Sequence, residues 1–241
     1  MPELPEAETI ARDLRRRVVG RTVTGVVVPH PDVLAGGLSP RALAAALRGR
    51  RIAAVGRRGK NVVFTFDGGP VLVVNLGMTG RLVPSDAPGA AALRHVAVRF
   101  GLDDGRAILY DDIRRFGRLE LHSPESWERR QAELGVEPLS DAFTAHRLYE
   151  WTRDSRAPIR NWLLDQTRLA GIGNIYSNEA LFRAGIRPTR RAGSLTRAEA
   201  ARLRDAIREV LTEAIRKRGT TVQAYRDGAG EAGEYAPFLR V

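Results

Sequence analysis

The chain opens MPELPEAETI, and its first residues are of types that could do chemistry. Removal of Met1 leaves Pro2 with a secondary amine, and an unprotonated amine is a nucleophile. Glu3 sets a carboxylate beside it that could move protons. The same residues have a plainer use, because Pro suits the first turn of a helix and Glu there complements the positive end of the helix dipole. GRRGKNVVF carries Lys60, one of only two lysines in a chain whose other basic residues are arginine. A compact ammonium can meet a single phosphate without the planar fork of arginine; Lys60 is equally readable as a chance survivor. NLGMTGR places Met78 between Gly77 and Gly80, and DDIRRFG places Arg114 and Phe116 after an acidic pair. Apolar wedges and arginines on loops can enter a DNA stack and fill the space of an extruded base, although each residue alone reads as packing or a solvated charge. In LAGIGNIYSNEALF, Gly171 and Gly173 permit a tight turn and Asn174 stands where a helix begins. Bare N–H groups there suit a phosphate, and an ordinary turn with Asn174 as N-cap fits equally.

These residues need elements to hold them. PEAETIARDLRRRVVGR spaces Ile10, Leu14 and Val18 four apart, the pattern of an amphipathic helix stopped by Gly20. Strand-like runs follow in RTVTGVVV, RIAAVGRRGKNVVFTF, GPVLVVNLGMTGRLV, RHVAVRFGL, RAILYDD and GRLELH, with a short helix in ALAAALRGR. Beyond Pro124 the pattern turns helical, most clearly in RAEAARLRDAIREVLTEAIRKRG, where Thr196 and Glu199 form a capping box and Gly219 ends the helix. The predicted layout is α+β: an N-terminal β-sandwich with a leading helix over 1–124, a hinge at 125–140, and a helical domain over 141–241. Both hydrophobic cores are expected within residues 1–220, and YRDGAGEAGEY is expected to be a mobile loop.

The composition narrows the function. The 241 residues carry a net charge of +11, which points to a polyanion partner and above all to nucleic acid. There is no cysteine, which excludes disulfides, thiolate metal sites and a thiol nucleophile. His30, His95, His122 and His146 are scattered without a metal-ligand spacing, so no metal is expected. No signal peptide and no run of about 18 apolar residues is visible, so a cytoplasmic protein without membrane contact is expected.

MPELPEAET, GRRGKNVVF, LGMTG, IRRFG, GIGNIYSNEALFRAGI and the GTT at 219–221 together resemble the formamidopyrimidine-DNA glycosylase family, which also contains endonuclease VIII. The resemblance spans nearly the whole chain, and PELPE is closer to the formamidopyrimidine branch than the PEGPE of endonuclease VIII. It implies a monomeric, nucleoid-associated bacterial enzyme of base excision repair acting on double-stranded DNA with damaged bases or abasic sites. The helical domain would contain the family's helix–two-turn–helix element. The resemblance further implies that Pro2 is the nucleophile that forms a Schiff base, that Glu3 is the acid/base and that Glu6 supports them. Lys60 would join Pro2 and Glu3 in the catalytic set, meeting a phosphate next to the lesion, and His95, Asn174 and Arg160 would contact DNA. Met78, Arg114 and Phe116 would fill the void left by base flipping, with Arg114 facing the orphaned cytosine, and Glu179 would lie near the flipped base. Endonuclease VIII-like action on oxidised pyrimidines and non-catalytic binding of damaged DNA are the competing readings. The tail YRDGAGEAGEYAPF resembles the family's mobile loop that closes over the flipped base, and that resemblance favours oxidised purines.

The chain departs from the family pattern in lacking the four cysteines of the zinc finger, so no zinc is expected. Asn75 stands where the family commonly has His, Arg160 where it has Lys, and Gln166 where it frequently has Asn.

Overall fold

The spacing of Ile10, Leu14 and Val18 produces α1 (Leu4–Val18), with Pro5 in its first turn and Arg15, Arg16 and Arg17 in its last, where cations complement the dipole. The computed structural model describes residues 2–221, 227 and 231–241. After α1 come β1 (Val23–Val27), α2 (Pro40–Leu47), β2 (Ile52–Arg58), β3 (Asn61–Phe66), β4 (Val71–Asn75), β5 (Gly80–Pro84), β6 (Val96–Leu102), β7 (Ala107–Asp112) and β8 (Arg118–His122). They form two antiparallel four-stranded sheets, ordered β1-β6-β7-β5 and β2-β3-β4-β8.

Two of the strand-like runs each contain two strands. RIAAVGRRGKNVVFTF folds back on itself at Gly59 and Lys60, pairing Arg58 with Asn61; Gly59 takes φ +57° as the first of the two turn residues. GPVLVVNLGMTGRLV changes sheets between β4 and β5, and the chain changes back between β7 and β8. An apolar run carries no mark of such a change, because both strands bury their residues. β4 pairs with β8, with Asn75 opposite Arg118, and β5 pairs with β7, with Gly80 opposite Asp112. The two crossings therefore run side by side at one end of the sandwich.

The sandwich core takes Ala7, Ile10, Ala11, Leu14 and Val18 from α1 and Val62, Phe64 and Phe66 from one face of β3. The opposite face of that sheet is covered too, with Val63, Val71 and Val73 packing on Trp127 of α3 (Pro124–Ala132). Burial on both faces explains why these strands read as continuous apolar runs.

The helical half consists of α4 (Ala145–Thr152), α5 (Ile159–Leu164), α6 (Asn174–Ala184) and α7 (Arg197–Arg216), the last opened by the Thr196/Glu199 capping box. Its core includes Leu163, Ile172, Leu181, Leu203 and Leu211, together with Leu4 of α1. It also includes Tyr235, so the expectation that both cores end by residue 220 is wrong. The chain returns beside α7, where the Glu234 and Tyr235 amides donate to the carbonyls of Lys217 and Gly219, and this lets Tyr235 pack on Tyr176. Of the loop expected at 225–235, residues 225, 226 and 228–230 lie outside the described residues. Among the described residues no helix is long and apolar enough to cross a membrane.

Ile10 is fully buried on the α1 seam. Ile10→Ala should cost about 2–5 kcal/mol by lost transfer energy and cavity formation, read as a lower urea midpoint with an unchanged m-value.

Candidate active site

The chain start is drawn into the interior between the sandwich and the helical half. Pro2 and Glu3 are buried, and the Leu4 amide donates to the Gly171 carbonyl at 2.9 Å. The Glu3 carboxylate accepts from the amides of Gly173 at 2.6 Å and Ile175 at 2.9 Å, with the Tyr176 amide at 3.5 Å. Glu3 thus caps the N-terminus of α6. The sequence leaves those N–H groups either free for a phosphate or capped by Asn174. In the structure a carboxylate from the start of the chain occupies them, Gly173 is the N-cap, and Asn174 is the first helical residue.

Two glycines make this approach possible. Gly171 takes φ +96°, and a Cβ there would stand 2.8 Å from Leu4 Cβ. A Cβ on Gly173 would overlap the Glu3 carboxylate and stand 2.8 Å from Lys60 Nζ, so Gly173 marks the point where Glu3 and Lys60 converge.

The electrostatics follow from burial. Burial drives the Glu3 pKa from 4.5 up to about 7; the Glu6 charge adds to the rise, while the Lys60 ammonium and the α6 amides oppose it. Glu6 is raised by burial as well, against donation from the Tyr176 hydroxyl and the amides of Thr220 and Glu3. Burial lowers Lys60, and the charges of Glu3 and Glu6 resist that. At neutral pH the site combines a carboxylic acid able to give up its proton with a cation beside it.

Lys60 owes its placement to the arginines next to it. Arg57 bridges Glu8 of α1 and Glu137, and Arg58 pairs with Glu137 while donating to the carbonyls of Leu134 and Gly135. Glu137 also accepts from the Gly59 amide at 2.7 Å, inside the turn itself. The 125–140 stretch, expected as a hinge, carries α3 and then this clamp.

The two sheet crossings bring Met78, Arg114 and Phe116 together. Met78 is 42% and Phe116 52% exposed, which is unusual for side chains of their size. The Arg114 guanidinium lies 4.5 Å from the centre of the Phe116 ring, and its Nη1 is 3.3 Å from Met78 Sδ. Beneath them the buried Asp112 accepts from the Thr79 hydroxyl at 2.5 Å, the Tyr110 hydroxyl at 3.0 Å and the Gly117 amide at 2.9 Å. Asn75 opens the first crossing by accepting from the Gly77 amide.

The other expected residues divide. Arg160 joins Asn174, donating from Nη2 to its Oδ1 at 2.9 Å and from Nε to Asn178. His95 is exposed just before β6, its amide held by Asp111. Glu179 does not join the Glu3 cluster. It is buried, and its carboxylate accepts from the amides of Arg240 and Val241, so it anchors the last residues of the chain.

Sequence reasoning missed Asp112, Glu137 and Tyr176 as organisers, and it noted Gln166 only as a departure. The Gln166 amide donates to the carbonyls of Leu164 and Ile172 and accepts from Gly171, stapling the turn between α5 and α6. An amide flanked by helices and followed by two glycines was the available signal. The residues present do not fit the family's four-cysteine zinc: the chain has no cysteine, and no group of three His, Asp or Glu gathers among the described residues.

The fold and site define a β-sandwich joined to a helix–turn–helix unit, with the chain start buried where they meet. Residues 1–119 match the formamidopyrimidine-DNA glycosylase N-terminal domain family, and residues 134–226 match the formamidopyrimidine-DNA glycosylase H2TH domain family. A formamidopyrimidine-DNA glycosylase of Chloroflexus aggregans is 45% identical over 242 residues, spanning all of this chain and 87% of the relative. The crystal structure of the MutM (Fpg) protein from Thermus thermophilus aligns with a TM-score of 0.86 at 40% identity, covering 99% of this chain and 86% of that one. A Lactococcus lactis Fpg in complex with DNA containing an abasic site aligns at 0.88 and 32% identity, covering 99% and 87%. The chain belongs to the formamidopyrimidine-DNA glycosylase family.

Glu3 binds its proton more tightly folded than unfolded, so its contribution to stability is full below pH 4.5 and is lost as pH rises to about 7. Glu3→Gln cannot ionise. Between pH 4.5 and 8 the stability difference should therefore move in favour of the variant by up to ~3 kcal/mol, measured by chemical denaturation of both proteins.

Proposed function

We propose that this chain is a bifunctional DNA glycosylase and abasic-site lyase of base excision repair, acting on oxidised purines in duplex DNA through the Pro2 amine. The observation that carries this reading is the Glu3 carboxyl: buried, its pKa raised to about 7, one peptide from Pro2 and beside Lys60. A catalytic acid is most useful when its pKa lies near the working pH. The Pro2 nitrogen attacks C1′ of the damaged nucleotide, and the base departs with its bonding electrons and takes up a proton. The ammonium formed by the attack loses its proton to solvent. Glu3 protonates O4′ as the C1′–O4′ bond breaks, leaving an iminium between C1′ and the proline nitrogen. The iminium acidifies C2′–H; loss of that proton expels the 3′ phosphate, a second elimination expels the 5′ phosphate, and hydrolysis frees Pro2.

Lys60 at its hairpin tip, Arg160 with Asn174 at the start of α6, and His95 serve as phosphate contacts. Phosphate contacts dominate affinity without reading sequence. Met78, Arg114 and Phe116, exposed on adjoining crossings, have the shape and chemistry to occupy the space of an extruded base. The Lactococcus lactis Fpg complexes with DNA, one containing Fapy-dG and one an abasic site, support the substrate class. Bacterial relatives support a cytoplasmic location.

Borohydride trapping on an abasic-site duplex tests the nucleophile. Pro2→Gly, or an uncleaved N-terminal extension, should abolish the covalent adduct while duplex binding persists; an undiminished adduct from the blocked protein would remove Pro2 from this role. Lys60→Ala should weaken binding to every duplex alike and reduce the salt dependence, log K against log salt, by roughly one unit. A loss confined to one lesion would make Lys60 a base reader.

A further inference from the structure

The reaction above leaves the buried phenol of Tyr176 without a part. Tyr176 lies in the first turn of α6, and its hydroxyl is aimed at Glu6, donating to Oε1 and standing 3.0 Å from Thr220 Oγ1. The Thr220 amide donates to the same Oε1 at 2.7 Å. The other oxygen, Oε2, accepts from the Glu3 amide at 2.8 Å. Tyr176 therefore faces both acids of α1, Glu3 with its amide and Glu6 with its phenol. Tyr235 backs the phenol ring, with centroids 6.0 Å apart.

We propose that Tyr176 is a positioning residue: by donating to Glu6 it keeps that carboxylate as the charged clamp on the Glu3 peptide, and so places the Pro2 amine and holds the proton on Glu3. The proposal rests on the glycosylase reading above. The geometry supplies its steps. The peptide that Glu6 holds directly follows Pro2, so a turn of the Glu6 carboxylate moves the amine. Among the described residues, the charged and titratable groups facing this carboxylate are Glu3 just before α1, Lys60 on the β2–β3 turn and Tyr176 on α6. Thr220 and Tyr235 complete the wall. Of these, the Tyr176 hydroxyl is the side-chain donor on Glu6. The Glu6 charge is one of the causes that raise Glu3, so a neutral Glu6 would let Glu3 release its proton at lower pH.

The experiment compares wild type, Tyr176→Phe, Glu6→Gln and the double variant. It measures duplex affinity, borohydride trapping on abasic DNA and single-turnover base excision on an 8-oxoguanine duplex across pH. Tyr176→Phe should keep duplex affinity and slow excision by roughly 10- to 100-fold, the scale of a misplaced reacting group. Its alkaline limb should move to lower pH. Glu6→Gln should do the same, and the double variant should be no slower than Glu6→Gln alone, as required if Tyr176 acts through Glu6. Multiplying losses, or a Tyr176→Phe protein with the wild-type rate and pH profile, overturn the proposal. Should Tyr176→Phe fail to fold, 3-fluorotyrosine at position 176 is a stronger donor of nearly the same shape. It should move the alkaline limb to higher pH, and an unmoved limb overturns the proposal. A wild-type chain that traps no adduct overturns the glycosylase reading and this proposal with it; adduct from the wild type beside an unaltered Tyr176→Phe overturns this proposal alone.

Discussion

The Glu3 carboxylate accepts hydrogen bonds from amides of Gly173 and Ile175, about 170 positions along the chain, and the rest of the molecule is arranged to permit it. A carboxylate loses much of its solvation on burial and needs compensating donors. The first turn of a helix supplies such donors ready-made, and the dipole favours a negative charge there. One contact therefore caps α6, holds α1 against the helical half, and leaves Pro2 at the junction. The glycines at 171 and 173 follow from it, because any side chain at either position would collide with Leu4 or with Glu3 and Lys60. So does the buried Leu4 in the helical core, which belongs to a helix whose later residues fill the sandwich.

What could be read in the sequence was whatever obeys local rules. The α1 spacing, the Thr196/Glu199 box and the strand runs depend on neighbours within a turn or two, and they appear where expected. The motifs around Pro2, Lys60, Met78, Arg114 and Asn174 could be found because their residue types are unusual in place. The sheet change inside GPVLVVNLGMTGRLV could not be read, since the pattern of burial does not alter across it. Asp112 looked like half of an acidic pair, and only the fold turns it towards Thr79, Tyr110 and Gly117. The surroundings of Glu179 and Asn174 could not be read for a related reason. Their roles depend on which distant group arrives first: the backbone of Arg240 and Val241 at one, the Glu3 carboxylate at the helix end beside the other.

The arginine excess divides between surface and structure. Arg57 and Arg58 commit their charge to Glu8, Glu137 and backbone carbonyls, holding the turn that presents Lys60. Five donors in a rigid fork suit that clamping task, and a single flexible ammonium suits the tip. Within four residues the chain uses both cations for what each does better, so Lys60 is better explained by its position than by composition.

Asp112 fastens both crossings to one buried point, and this gives the Met78, Arg114 and Phe116 cluster a mechanical character. Two fingers on separate hinges would each have to find the groove, and each would lose its own freedom on insertion. Here Thr79 and Gly117 tie both crossings to one carboxylate, and the Arg114 guanidinium ties the side chains to each other, so the cluster is braced as one unit. In the void-filling role proposed above, a cluster braced in this way would surrender little entropy on entering the stack. A protein that must sample many intact pairs for each damaged one gains speed from a probe that is already in shape before it touches the helix.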